Sequence, residues 1–319
     1  MRLWMRRFNG FPAPVVLIGV LMSVAVLLLA GCGLTLPNKK LTERLYKQVR
    51  GSDGSLIKTM VVLPFENGAK WSHADLDDTF LVDLQSYIEK QCRHVRVILP
   101  NSPGFPARLN QIPRKEGDVI DNDALALAGR ASGVNMVLTG RLAGIRYMTK
   151  RTGMLWFVKN RHLARLQMDI AVYHTGTGAL LVDKTVFHDI EINKDEGARI
   201  EAKEMPGSVA LPEALSEIAE ITGEMVCRVL GNIPWEGYVT RVEGNRIVLP
   251  FGASCGLTKG KTLQVFGVEK VKEGKTDRSF FALGVKIGKI SITKVNPDSA
   301  EATLKSGGPI PPGSIVRQE

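Results

Sequence analysis

Thr59-Met60-Val61-Val62-Leu63-Pro64-Phe65, a continuous apolar run stopped by proline, reads as a buried β-strand. After a polar loop, Asp75 to Lys90 carries Leu76, Phe80, Leu84, Tyr87 and Ile88 at spacings of four and three, which predicts an amphipathic helix. Val95 to Leu99 predicts a second strand. A loop with Pro103, Pro106 and Pro113 then leads to a small-residue helix, Ala124 to Ala131, capped by Asp121 or Asn122 and stopped at Gly133. Asn135 to Arg146, Leu163 to Tyr173 and Leu180 to Ile192 predict three further strands, the last two joined by the tight turn Gly176-Thr177-Gly178. A long helix starts at Pro212, carries Leu215, Ile218, Met225 and Val229 on one face, and ends at Gly231. The predicted class is α+β, with a β-α-β-α-β-β-β-α sandwich domain over residues 58–231.

Beyond a short linker that begins at Pro234, no helical period remains. The runs Tyr238–Arg241, Arg246–Leu249, Thr262–Phe266, Val285–Val295, Ala300–Leu304 and Ser314–Arg317 alternate with Gly-rich turns. That is the pattern of a small SH3-like β-barrel over residues 237–319. Upstream of the first strand, residues 32–57 are polar and read as a tether, with a short helix near Leu41 to Val49.

The amino terminus reads as an export signal over residues 1–31. Arg2, Arg6 and Arg7 stand there without an acid, and about 16 mostly apolar residues run from Val15 to Ala30. The run is shorter than the ~20 residues a spanning helix needs. The quartet Leu29-Ala30-Gly31-Cys32 looks like a bacterial lipobox, whose small residues precede a cysteine that becomes the mature amino terminus. The resemblance implies diacylglycerol on the Cys32 thiol and an acyl chain such as palmitate on its nitrogen. Gly33 in the next position favours sorting to the outer membrane. The expected location is therefore the periplasmic face of that membrane, with the lipid in its inner leaflet.

The 319-residue chain is 44% apolar and 23% charged, the profile of a folded protein, with a net charge of +10 that falls to +7 without the three leader arginines. In this compartment such charge points to anionic lipid, cell-wall polymer or an acidic protein, and nucleic acid is not an expected partner. Cys92, Cys227 and Cys255 remain after lipidation, so at most one disulfide forms within a monomer, and the spacing leaves the pair open. There is no Cys-x-x-Cys and no His-Glu-x-x-His, so neither a metal nor any cofactor beyond the lipid on Cys32 is expected.

Three segments carry a family resemblance: Lys58-Thr-Met-Val-Val-Leu-Pro-Phe-Glu-Asn67, Gly133-Val-Asn-Met-Val-Leu-Thr-Gly140 and Asp169-Ile-Ala-Val-Tyr-His-Thr-Gly-Thr-Gly178. In that order they resemble the α/β domain shared by the curli secretion lipoprotein CsgG, the amino-terminal domain of TolB, the lipoprotein activators of penicillin-binding proteins and the middle domain of the flagellar protein FlgT. His174 departs from that pattern, standing where many relatives place Asp. The segments Gly237-Tyr-Val-Thr-Arg-Val-Glu-Gly244, Ile287-Gly288-Lys-Ile290 and Pro312-Gly313-Ser-Ile-Val316 resemble the barrel that ends FlgT. The resemblance implies an envelope protein that assembles or braces a machine, most specifically the flagellar basal body, with basal-body ring proteins as partners. Alternatives from the same relatives are activation of a peptidoglycan synthase and a CsgG-like secretion channel, the latter requiring a homo-oligomer.

The local feature with most information is the stretch 141–168, which holds Arg141, Arg146, Lys150, Arg151, Lys159, Arg161 and Arg165 without an acid. Met154-Leu155-Trp156-Phe157-Val158 sits at its centre. It reads as a hairpin that either folds back on its own domain or contacts a partner or a lipid headgroup layer, with Arg146, Lys150, Arg151, Leu155, Trp156, Phe157, Lys159 and Arg161 as the contact residues. The acids Asp189, Glu191, Asp195, Glu196, Glu201 and Glu204 read as a solvated loop. Gly256-Leu-Thr-Lys-Gly260-Lys261-Thr262 fails as a phosphate loop, because Cys255 stands where the motif needs glycine and strand follows where it needs helix. No Ser/His/Asp arrangement stands out, and no catalytic residue is assigned.

Overall fold

The computed structural model describes residues 56–68, 75–117, 119–153, 159–202, 210–272 and 279–319. The export signal, Leu29, Ala30, Gly31 and Cys32, the tether up to residue 55, and Leu155, Trp156 and Phe157 lie outside the described residues. The chain is mixed α and β, built on two sheets.

In the first sheet β1 (Lys58–Val62) pairs in parallel with β3 (Val95–Ile98) on one side and β4 (Met136–Thr152) on the other. The two-residue β2 (Glu66–Asn67) continues along β4 after the break at Pro64. From β4 the chain turns back twice, through β5 (Lys159–His174) and β6 (Leu180–Ile192), both antiparallel to their predecessor. Alternation along β1 feeds two cores. Met60 and Val62 meet Phe80, Leu84 and Ile88 of α1 (Asp75–Gln91) and Ile218 and Val226 of α4 (Ala210–Gly231). Val61 and Leu63 meet Leu109 and the helix α2 (Asn122–Ala131) through Leu125. Asp121 is the cap of α2, its carboxylate accepting from the backbone N–H groups of Asp123 and Ala124. Two elements were absent from the expected order: β2, and α3 (Lys194–Glu201), started by a capping box between Asn193 and Glu196.

Of the three mature cysteines, Cys92 at the end of α1 and Cys227 in α4 form a disulfide, with Cα atoms 5.4 Å apart. Cys255 is buried and free.

The second sheet runs β7 (Glu236–Tyr238), β13 (Ile315–Gln318), β10 (Thr262–Lys272), β11 (Ser279–Val295), β12 (Ala300–Gly307), β9 (Arg246–Leu249) and β8 (Arg241–Glu243) in spatial order, each pair antiparallel. Its two outer strands, β7 and β8, are neighbours in the chain. The sheet therefore curls toward closure, with the Val239 N–H donating to Ser314 and the Thr240 N–H to Val248. Leu263, Val265, Ile290, Ile292, Ala302 and Val316 fill the inside.

Two expectations need correction here. The tether does not reach residue 57. Leu56 is only 2% exposed and belongs to the core of the second sheet, and Ile57 is held there by its N–H on the Cys255 carbonyl (2.8 Å) and by Trp235 Nε1 on its own carbonyl (3.2 Å). Two apolar residues in succession gain more from burial than from solvation. The strands expected as Thr262–Phe266 and Val285–Val295 are also much longer, and their extra residues make an arm that projects past a bulged register at Val265, Phe266 and Val268.

Candidate interaction surface

The arm joins the two modules. The Phe281 N–H donates to the Thr177 carbonyl (2.9 Å), and Asn122 Nδ2 donates to both Gly178 (3.0 Å) and Ser279 (2.9 Å). Lys270 pairs with Asp123 at 2.7 Å, and the Arg130 guanidinium lies 4.2 Å from the Phe281 ring centroid. The turn at Gly176-Thr177-Gly178 is thus a docking point as well as a hairpin turn. Gly133, at φ +67°, completes the fit, since a Cβ there would collide with the Pro250 carbonyl.

Beneath the turn lies a buried polar cluster. Asn135 Oδ1 accepts from the Thr59 N–H (2.9 Å) while its amide donates to the Glu236 carbonyl, so one side chain links β1, β4 and β7. The Thr175 hydroxyl lies 3.0 Å from Tyr238 OH, and Arg130 donates to the carbonyls of Thr175 and Gly176. Burial pushes the Tyr238 phenol far above its ordinary range. Glu236 accepts a charge-assisted pair from Arg317 through Oε1. His174 Nε2 and Glu236 Oε2 sit 3.6 Å apart, both buried and neither hydrogen-bonded. Burial, with Arg130, Arg317 and Lys58 nearby, outweighs the attraction of Glu236 and holds the His174 pKa below its ordinary value. None of these contacts is visible in the spacing of His174, Asn135 and Glu236 along the chain.

A cleft of about 560 Å³ lies beside this junction, among Arg96, Ser102, Ser132, Ser254, Cys255 and Asp298. Its hydroxyls are turned to the protein: Ser102 donates to Leu99, Ser132 to Ala128, and Ser254 to Asp298. Burial raises the Cys255 pKa, so its thiol stays protonated, donating to the Gly252 carbonyl. Among the described residues no three His, Cys, Asp or Glu side chains gather around a point that suits a metal.

The basic stretch 141–168 forms most of β4 and β5, and its register sorts the cations by face. Arg146 stands opposite Arg165, Met148 opposite Leu163, Lys150 opposite Arg161, and Thr152 opposite Lys159. Directly opposed residues share a face, so Arg146, Lys150, Lys159, Arg161 and Arg165 lie together. Arg151 stands opposite Asn160, on the reverse face with Tyr147 and His162, and so separates from the expected contact set. The reverse face is covered at its base. There the Tyr147 and His162 rings stack at 5.8 Å, and Tyr147 packs so closely on α3 that a Cβ at Gly197 would strike its ring.

The cationic face continues onto β6, where Phe187, Asp189 and Glu191 follow. Asp189 and Glu191 are therefore strand residues, not loop residues. Arg165 grips Asp189 with both nitrogens (2.6 and 2.8 Å), and Arg161 takes Glu191 in the same manner. These hydrogen bonds hold both carboxyl groups below their ordinary pKa range. Asp195 and Glu196 instead occupy the first turn of α3, where they complement its dipole, and Glu201 ends it. Phe187 is 52% exposed, with the Arg165 guanidinium 4.3 Å above its ring. Arg165 and Phe187 are thus members of the surface that sequence spacing missed; the period-two register of β5 and β6 is the signal that would have found them.

No protein-family profile matches the chain, and no curated protein matches it. Solved structures that resemble it include the hypothetical protein CT253 from Chlamydia trachomatis, at 13% identity and a TM-score of 0.32, covering 54% of this chain and 99% of that one. Lipoprotein GNA1162 from Neisseria meningitidis resembles it at 9% identity and a TM-score of 0.28, covering 46% and 94%. The PelC dodecamer from Paraburkholderia phytofirmans does so at 12% identity and a TM-score of 0.28, covering 54% and 93%. Likenesses this distant carry no activity or partner across to this chain.

Proposed function

We propose that this chain is a non-catalytic lipoprotein of the bacterial envelope, anchored through Cys32 at the periplasmic face of the outer membrane, that assembles or braces an envelope machine. The observation that carries the reading is the open β4–β5–β6 face, which is held on a rigid support. The β10–β11 arm, Asn135 and Asn122 clamp the two modules together, which suits a part that positions others. The Cys92–Cys227 disulfide suits an oxidising compartment. The order of an α/β domain followed directly by a barrel favours flagellar basal-body assembly over the other roles of the relatives. A CsgG-like channel has less support, because lipid-facing strands need an apolar outer band and Arg146, Lys150, Arg161 and Arg165 stand on this hairpin.

Replacing Cys32 with Ala tests the anchor. The expected result is release of the protein to the soluble periplasmic fraction, with loss of machine assembly. A variant that remains tightly membrane-bound and uncleaved would refute it.

A further inference from the structure

We infer that the open face of β4, β5 and β6 is a docking surface for anionic phospholipid headgroups, so that the folded body lies against the membrane on this side. The inference deepens the membrane-anchored reading proposed above but does not depend on the lipid at Cys32, because the surface belongs to the folded body.

The argument begins with a conflict in the sheet. Like charges directly opposite one another on neighbouring strands destabilise the pairing. Here Arg146 faces Arg165 and Lys150 faces Arg161, with only Met148 and Leu163 between the two pairs. Asp189 and Glu191 relieve the repulsion on one side only, since they bind Arg165 and Arg161. Among the described residues, Arg146, Lys150 and Lys159 have no ion-pair partner, and all three are exposed. One member of each like-charged pair is thus neutralised from β6 while the other faces solvent, and cations kept opposite one another on an open face mark a place where function sets the residues.

The shape of the surface selects the ligand. It is a sheet face, with its cations spread along neighbouring strands. Arg146 and Lys150 lie about 13 Å apart along β4, given the ~3.3 Å rise per residue, and β5 lies about 5 Å to the side. Cations at such intervals on an open face match many mobile anionic groups spread over a plane. The exposed Phe187 ring and the partly exposed Met148 lie among the cations, while Leu163 is buried, and this mixture suits the boundary between headgroups and acyl chains.

Each Lys or Arg near an anionic bilayer strengthens binding by about fivefold, so the three unpaired cations together contribute about a hundredfold, and added salt weakens all of it. The test uses the full mature chain carrying Cys32→Ala, so that no lipid contributes, in co-sedimentation with phosphatidylcholine vesicles with and without phosphatidylglycerol. The expected result is salt-sensitive binding that requires phosphatidylglycerol. Arg146→Gln/Lys150→Gln/Lys159→Gln should lower it by about a hundredfold, while Arg151→Gln, on the reverse face, leaves it unchanged. Melting curves equal to the parent's confirm that both variants remain folded. Binding that ignores phosphatidylglycerol, an unaffected triple variant, or an equal loss with Arg151→Gln would overturn the inference. So would a parent chain that ignores the vesicles while crosslinks from this face capture a protein. Each of these results leaves the Cys32 anchor standing, whereas failure of Cys32→Ala to release the protein from cells leaves vesicle binding standing.

Discussion

Removing the Cys92–Cys227 disulfide should be the most costly single covalent change to the fold. The bond joins the end of α1 to the last turns of α4 across a sequence separation of 135. Closing a loop of that length removes chain entropy from the unfolded state worth about 5 kcal/mol at 25 °C, an upper value because denatured chains keep some structure. Cys92 is buried, and replacing both cysteines with Ala also removes sulfur contacts from the core shared by α1 and α4. The expected loss for Cys92→Ala/Cys227→Ala is therefore about 3–5 kcal/mol. Urea unfolding followed by far-UV circular dichroism would read it directly, alongside the parent chain under reducing conditions. The reduced parent should fall close to the double variant, and both should show a larger denaturant slope as their unfolded states expand. A loss below about 1 kcal/mol in both would refute the pairing or its effect on the unfolded chain.

Three further changes probe the junction. Gly133→Ala places a Cβ against the Pro250 carbonyl at a left-handed backbone position, and a loss of about 1–3 kcal/mol is expected in thermal unfolding. Leu56→Ala should cost about 2–5 kcal/mol, because its side chain lies in the core of the second sheet; no change in melting temperature would return Leu56 to the tether. His174 is held neutral by a folded-state pKa below its ordinary value of 6.5, so the unfolded chain binds the extra proton first. Stability should be full above about pH 6.5 and decline as pH falls from there toward the folded pKa. His174→Gln should flatten that decline in melting temperature between about pH 7.5 and 5, and an unchanged slope would assign the effect to other groups.

The legible parts of the fold were those fixed by local pattern. The run Met60–Leu63 alternates between two cores, Asp121 caps the helix that follows it, and Gly133 ends that helix, all within a few residues of chain. What resisted reading depends on partners distant in sequence. The arm of β10 and β11 carries Glu269, Lys270 and other polar residues that look like loop until Asp123, Asn122 and Thr177 supply their contacts. Asn135 joins three strands, yet a single Asn between Val134 and Met136 gives no sign of it. At the candidate surface the density of cations was plain, but their division between two faces follows from strand alternation and the register of β4 on β5. Arg151 is an odd number of residues from Arg146 and Lys150 and falls on the reverse face, whereas Arg165 stands opposite Arg146 and joins the cationic one. Asp189 and Glu191 alternate with Ile190 and Ile192 inside the expected strand Leu180 to Ile192, so their place was legible, but Arg165 and Arg161 as their partners on β5 were not.

In-cell crosslinking of the mature protein, with mass spectrometry of what it captures, is the most direct test of the bracing role. The account predicts components of an envelope machine, and basal-body ring proteins if the flagellar reading is right. Capture of a penicillin-binding protein, or of further copies of this chain alone, would contradict it.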